Sequence, residues 1–329
     1  MISKIIKDLY FLVVLLGFVL LIIIKWDEVK TIFLLFERQN SVFLVVALAM
    51  QVLTYIVTAL TYQSILIAIS SHVPFSFLFK SSFSMLSLNQ IVPSLGFSGG
   101  AFFVSRVKKF GISSGKATLS MVMESVIFYS SFIILLFLGV LYLFIAHKVA
   151  YVQILLSLAF LIIMFICVFY FFYVLKSKEH FSRVLYRIYF FIYVKILKKK
   201  EDRKGFDFLV SEFFIGKDMM LKNKYKFIAP FVYSILKSLF DILTIYFVFL
   251  AFGYNANLGV LTVGFCLATL LSYISFIPGG IGVFEFSMAG IFAGFGILFS
   301  LGFIVTLIFR GLAFWLPIPI GLWFYKELK

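Results

Sequence analysis

Inside the hydrophobic runs of this chain the ionisable side chains are few: Lys80, Glu124, Lys237, Asp241, Glu285 and Arg310. Arg310 offers the most chemistry. A guanidinium stays charged and presents a planar fork that can grip a phosphate through two bonds. The competing account is an internal ion pair with Glu285 or Glu124. Glu285 comes three residues after Gly282, where a carboxylate can satisfy orphan N–H groups and complement a helix dipole. Its sharper role would be to meet a cationic group or carry a proton. Glu124 reads as a gate or proton site, or as a side chain reaching for an interface. Lys237 and Asp241 stand four apart, the spacing of an internal pair on one helix face, with a ligand contact as the alternative. Lys80 is placed at the mouth of a hairpin.

Two segments must position these groups. Ser275–Phe286 reads S-F-I-P-G-G-I-G-V-F-E-F, so Pro278, Gly279, Gly280 and Gly282 break a hydrophobic run just before Glu285. Asn89–Gly100 reads N-Q-I-V-P-S-L-G-F-S-G-G, with Pro93, Gly96, Gly99 and Gly100. Unpaired backbone groups facing lipid cost several kcal/mol each, so such breaks must be buried or line a polar cavity. The glycines either let half-helices aim their N-termini at an anion, or they let helices pack closely.

The composition is 63% hydrophobic with 13% charged residues and a mean hydropathy of +1.13, which identifies an all-α integral membrane protein. Full spans are expected near Leu9–Ile24, Val42–Ser70, Ala117–Ala146, Val149–Leu175, Phe227–Phe252 and Leu301–Tyr325, about six in number at the length a bilayer requires. The stretches Phe75–Ser105 and Val260–Phe299 are expected as broken, re-entrant hairpins. Leu9–Ile24 lacks a small-residue cleavage site and reads as an uncleaved span. The net charge of +15 sits in loops, which excludes a nucleic-acid partner in favour of positive-inside topology. Cys167 and Cys266 lie far apart in apolar runs, without metal-ligand or disulfide spacing. No metal or cofactor is expected.

Charge sets the orientation. The basic linker 176–226, Arg106–Lys116 and the terminal Lys326 and Lys329 are expected in the cytoplasm, with both chain termini. His147–Lys148 and Gly253–Gly259 are expected outside. The Pro93 hairpin then enters from the cytoplasm and the Pro278 hairpin from outside. The chain becomes one polytopic domain, 1–329, made of inverted halves at about 1–146 and 149–329. An offset of 185 residues aligns Leu86-Ser87 with Leu271-Ser272, Pro93 with Pro278, and Phe110–Ile112 with Phe295–Ile297. Inverted repeats with broken helices point to a binding site between them. Within the linker, Arg183, Arg187, Lys195 and Lys199 recur at helical spacing, which reads as an interfacial helix on anionic headgroups or as a solvated connector.

At N-Q-I-V-P-S-L-G-F-S-G-G (89–100), K-F-G-I (109–112), P-G-G-I-G-V-F-E (278–285) and F-R-G-L-A-F-W-L-P (309–317), the chain resembles the flippase-like membrane domain of the lysylphosphatidylglycerol synthase family. The resemblance implies movement of an anionic or aminoacylated phospholipid between leaflets, or a place in lipid-linked sugar pathways. Bifunctional relatives carry a soluble aminoacyl-transferase domain after the membrane part. This sequence shows none before Lys329, so lipid aminoacylation is not expected of it. Relatives commonly show Glu-Arg where this chain has Glu124-Ser125, which implies one lost anion contact.

These readings converge on a flippase-like transporter of phospholipids or lipid-linked anionic headgroups in the cell (inner or plasma) membrane, without catalysis of its own. Its partners would be membrane lipids and a separate lipid-modifying enzyme; the oligomeric state is not encoded legibly. The expected substrate-contacting set is Arg310, Glu285, Glu124, Gly99, Gly100, Pro278, Gly279, Gly280 and Gly282, with Lys237 and Asp241 as the internal pair. The alternative is a membrane enzyme or accessory protein of polyprenyl-phosphate-sugar or glycolipid synthesis. It would need an external acidic constellation, for which only Asp27, Glu28 and Glu37 are available. A small-solute carrier would need a more polar path than these spans offer.

Overall fold

The computed structural model describes residues 40–91, 97–146, 151–191, 201–222, 224–275 and 277–328, with all described elements helical. The expected first span Leu9–Ile24, Pro93 and Gly96, the acidic Asp27, Glu28 and Glu37, and Lys195 and Lys199 lie outside the described residues.

Helix α1, Ser41–Ala68, starts at Asn40, whose side chain accepts from the Val42 N–H at 3.1 Å. α2, Phe75–Ile91, and α3, Phe97–Val107, are the two legs of the Pro93 hairpin. α4 is Ser114–Ile145, capped by Ser113, and α5 is Tyr151–Leu175. The linker holds α6, Lys178–Tyr189, and α7, Arg203–Lys222. α8 is Ile228–Ala251; α9, Leu258–Ile274, and α10, Val283–Gly294, are the legs of the Pro278 hairpin. The last span is composite. α11, Phe299–Arg310, passes through a π turn at Gly311–Trp315 into α12, Pro317–Leu328. Pro317 and Pro319 have no N–H to give the preceding turn, and a π turn is one way a helix absorbs that fault. Among the described residues, five helical stretches are long and apolar enough to cross a membrane: 41–68, 114–145, 157–175, 225–251 and 299–328. Four of them match expected spans to within three residues, the last being two helices rather than one, and the third begins eight residues after the expected Val149.

Packing follows a reciprocal pattern. α1 lies antiparallel along α8, its Asn40 N–H donating to the Ala251 carbonyl at 2.8 Å. α2, in the first hairpin, packs on α12 of the last span; α9, in the second hairpin, packs on α4. Small residues permit these approaches. A Cβ at Gly321 would stand 2.0 Å from the Ser87 hydroxyl, and one at Gly139 would stand 3.0 Å from Thr262. Ser84 and Ser87 donate across to the Gly321 and Pro317 carbonyls at 3.2 and 3.0 Å. Cys266 is a buried filler of the core formed by α4, α8, α9, α10 and α11.

The described helices of the linker pack against the bundle. Phe181 of α6 stacks on Phe213 of α7 at 4.8 Å, and α7 packs against α4 so closely that a Cβ at Gly115 would meet the Leu209 carbonyl at 2.7 Å. Phe206, Val210, Phe213 and Phe214 are buried in the same core as Val107, Ile112, Ala117 and Leu175. The linker is therefore docked on the bundle, with Arg183 and Arg187 exposed. The basic segments 106–116, 176–191 and 203–226, with the end of α12, gather at one end of the molecule.

Candidate functional site

The P-G-G-I-G break is built by its glycines. Gly279, Gly280 and Gly282 adopt φ of +60°, +62° and +85°, a region L side chains avoid. At two of them there is no room for one either: a Cβ at Gly280 would fall 1.5 Å from the Ser272 hydroxyl, and one at Gly279 would fall 2.2 Å from the Phe314 ring. The loop thus turns directly against α9 and the π turn, and α10 starts from it.

Glu285 and Arg310 tie the loop to the last span. One carboxylate oxygen of Glu285 accepts from the Gly282 N–H at 2.7 Å, filling the N-cap role, and the other accepts from Arg310 Nε at 2.7 Å. Arg310 Nη2 donates to the Gly279 carbonyl at 2.6 Å. The Phe314 and Phe284 rings lie 4.0 and 5.1 Å from the guanidinium carbon, within cation–π range. Arg310 and Glu285 are only 8% and 6% exposed, so neither charge is left to lipid. The sequence alternatives for the pair thus meet in one object: Arg310 pairs with Glu285, not Glu124, and Glu285 caps α10.

A second group of charges lies beside it. Lys237 Nζ sits 3.7 Å from Glu124 Oε1 and 4.6 Å from the Phe128 ring centre. Asp241, which the i,i+4 spacing assigns to Lys237, accepts from Gln51 Nε2 of α1 at 3.3 Å, while the Lys237 charge still acts on it. Tyr273 links the two groups: it feels Glu124, Asp241 and Arg310, and its ring lies 6.2 Å from Tyr129. Tyr55 donates to the Leu312 carbonyl in the π turn at 2.6 Å. Lys80 pairs with Glu327 of α12, near the basic end.

The first hairpin is built differently. Asn89 Oδ1 of α2 accepts from the Gly99 N–H at 2.7 Å and from Ser98 Oγ at 3.2 Å, so a neutral amide occupies the start of α3. A Cβ at Gly99 would stand 2.5 Å from the Met85 carbonyl, and one at Gly100 would meet the Met121 methyl at 2.0 Å. Close packing is what these glycines do. Pro278 stands at the first position of the second break.

Asn89, Gln51, Tyr55, Tyr273 and Phe314 escape a search restricted to residues charged at neutral pH. A signal existed for α1: Gln51, Thr54, Tyr55, Thr58, Thr61 and Tyr62 form a polar stripe at helical spacing in an apolar span.

The family model of the lysylphosphatidylglycerol synthase TM region matches residues 9–321. The chain belongs to this family. It is 26% identical over 320 residues to a UPF0104 membrane protein of Pyrococcus horikoshii, covering 94% of this chain and 95% of that one. A UPF0104 membrane protein of Methanocaldococcus jannaschii is 24% identical over 288 residues, covering 86% and 83%. One from Methanothermobacter thermautotrophicus is 37% identical over 91 residues, covering 28% and 27%. This member of the family is a multi-pass, all-α membrane protein.

Proposed function

We propose that the protein moves phospholipids or lipid-linked anionic headgroups between leaflets, with Arg310 as the phosphate contact. The observation that carries this reading is the Arg310–Glu285–Gly279 constellation, a buried cation held at a broken helix by a carboxylate and a carbonyl. A phosphate can replace Glu285 on the guanidinium fork, because both are planar or tetrahedral oxygen anions suited to two-point binding. Glu285 then keeps its bond to the Gly282 N–H, and α10 does not lose its cap. No catalytic step belongs to this proposal.

The reciprocal packing of α2 with α12 and of α9 with α4 supports an inverted-topology repeat. So does the spacing of Ser114 and Phe299, the first residues of α4 and α11, which are again 185 apart. α9 and α10, at 17 and 12 residues, reach about 25 and 18 Å at 1.5 Å per residue. Each falls short of a hydrocarbon core of about 30 Å, as re-entrant legs should. In this reading the protein sits in the cell membrane with its basic end and both termini in the cytoplasm. An apolar groove of about 440 Å³ between α4 and α5, lined by Ile133, Phe137, Ile162 and Phe165, suits an acyl chain. It begins nine residues beyond Glu124, about 14 Å along the helix axis.

The test is headgroup translocation in proteoliposomes by wild type, Arg310→Ala and Glu285→Gln at equal folded yield. Wild type should move fluorescent anionic lipid, Arg310→Ala should lose at least tenfold, and Glu285→Gln should keep binding but alter rate. Wild type indistinguishable from empty vesicles across anionic and lipid-linked-sugar substrates would overturn the proposal.

A further inference from the structure

Among the described residues, the charges away from the ends of the spanning helices do not balance. Glu285 is paired with Arg310 and Glu124 with Lys237, which leaves Asp241 as one carboxylate in excess. Gln51, Thr54 and Tyr55 of α1, Lys237 of its own helix and Tyr273 of α9 face it, and Tyr273 in turn feels Glu124 and Tyr129 of α4 and Arg310 of α11. Lys237 attracts Asp241, yet its close contact is with Glu124.

A second fault lies against the first. Gln51 is 1% exposed, and its amide N–H reaches Asp241 Oδ1, but its Oε1 has no hydrogen-bond partner. Turning the amide over would set oxygen against carboxylate and leave the N–H orphaned instead. A buried acceptor without a partner is costly, and such atoms call for an ordered water or an ion. A proton on Asp241, donated to Gln51 Oε1, is the competing answer, and it predicts a response to pH and none to sodium. A small cation answers both faults at once.

We propose that Asp241, Gln51 Oε1 and the Thr54 hydroxyl form a binding site for a sodium-class alkali cation between α1 and α8. The donor set is all oxygen, as hard cations require. The Thr54 hydroxyl faces the same carboxylate and sits one turn from Gln51 on the same helix, bonded back to the Met50 carbonyl at 3.3 Å. Both ends of the Gln51 amide are then used, Nε2 on the carboxylate and Oε1 on the cation. The site stands apart from the Arg310 constellation and goes beyond the lipid reading; within that reading it supplies a coupling ion.

The test uses purified protein in lipid nanodiscs at fixed pH and fixed ionic strength, with choline exchanged for sodium or potassium. Binding to the native state should raise the melting midpoint by a constant step for each tenfold rise in sodium above half-saturation. Choline should give no such rise. Asp241→Asn and Gln51→Met should abolish the sodium response, whereas Glu285→Gln should retain it. Because either variant at the site could misfold, direct binding of radioactive sodium to wild type is measured in parallel, with saturable uptake of one ion per chain expected. No saturable sodium binding, or a midpoint that tracks pH and ignores sodium, would overturn the proposal. Neither readout involves lipid movement, so this site and the flippase reading fail independently.

Discussion

Arg310 uses geometry that only arginine has. Nε and Nη2 point to two different acceptors, Glu285 Oε1 and the Gly279 carbonyl, while the guanidinium plane lies against Phe314. A lysine is a point charge on a flexible stem and can satisfy one acceptor at a time. Arg310→Lys is therefore expected to keep the charge but lose about 2–3 kcal/mol of stability, read as a lower melting midpoint at fixed pH. Arg310→Ala should cost more, roughly 3–5 kcal/mol, since it strands Glu285 in a buried site. At Gly280 the constraint is steric: Gly280→Ala adds a methyl against Ser272 at a φ of +62°. A loss above 2 kcal/mol is expected, and Gly280→Ala combined with Ser272→Gly should recover only the clash, not the strain. At this scale the charged residues were legible in the sequence, because charges in apolar runs are conspicuous. Their partners were not. Lys237 reaches a carboxylate on another helix, and Asn89, Gln51 and Phe314 are uncharged residues whose importance depends on what lies opposite.

At the scale of elements, the sequence marks where helices begin and end better than what they touch. Pro278 and the glycines after it placed the second break, and the caps Asn40, Ser113 and Asn257 fixed starts. Amphipathicity alone could not say whether the linker helices lie on lipid, on solvent or on protein, since all three want one apolar face. One face does lie on protein: Phe213 is 1% exposed and stacked on Phe181, while Arg183 and Arg187 stay exposed. Phe213→Ala is expected to cost about 3–5 kcal/mol and to release α7 first, visible as faster hydrogen exchange and proteolysis confined to 203–222. An α7 that exchanges as fast in wild type as in the variant would return the linker to a plain connector. The π turn also lay beyond the sequence, where Leu301–Tyr325 reads as one unbroken span.

For the whole molecule, the reciprocal packing makes a claim about sidedness. The ends of α3, α5 and α12 and the docked linker share one pole, and the α8–α9 turn lies at the other end of α8. In a background with Cys167 and Cys266 replaced, Lys204→Cys should be labelled by an impermeant thiol reagent only from the cytoplasmic side. Asn255→Cys should be labelled only from outside. Both labelled from one face would refute the orientation, whatever the protein carries.

One carboxylate ends two interactions that belong to different helices. Glu285 closes the first turn of α10 with one oxygen and anchors α11 with the other, so a proton arriving there would weaken both bonds together. Helix start and helix contact are then a single mechanical joint: α11 cannot pull away without loosening α10, and α10 cannot unwind without freeing Arg310. Mutations on the two sides of that joint should be markedly non-additive, and the hairpin should open, if it opens, as one hinge.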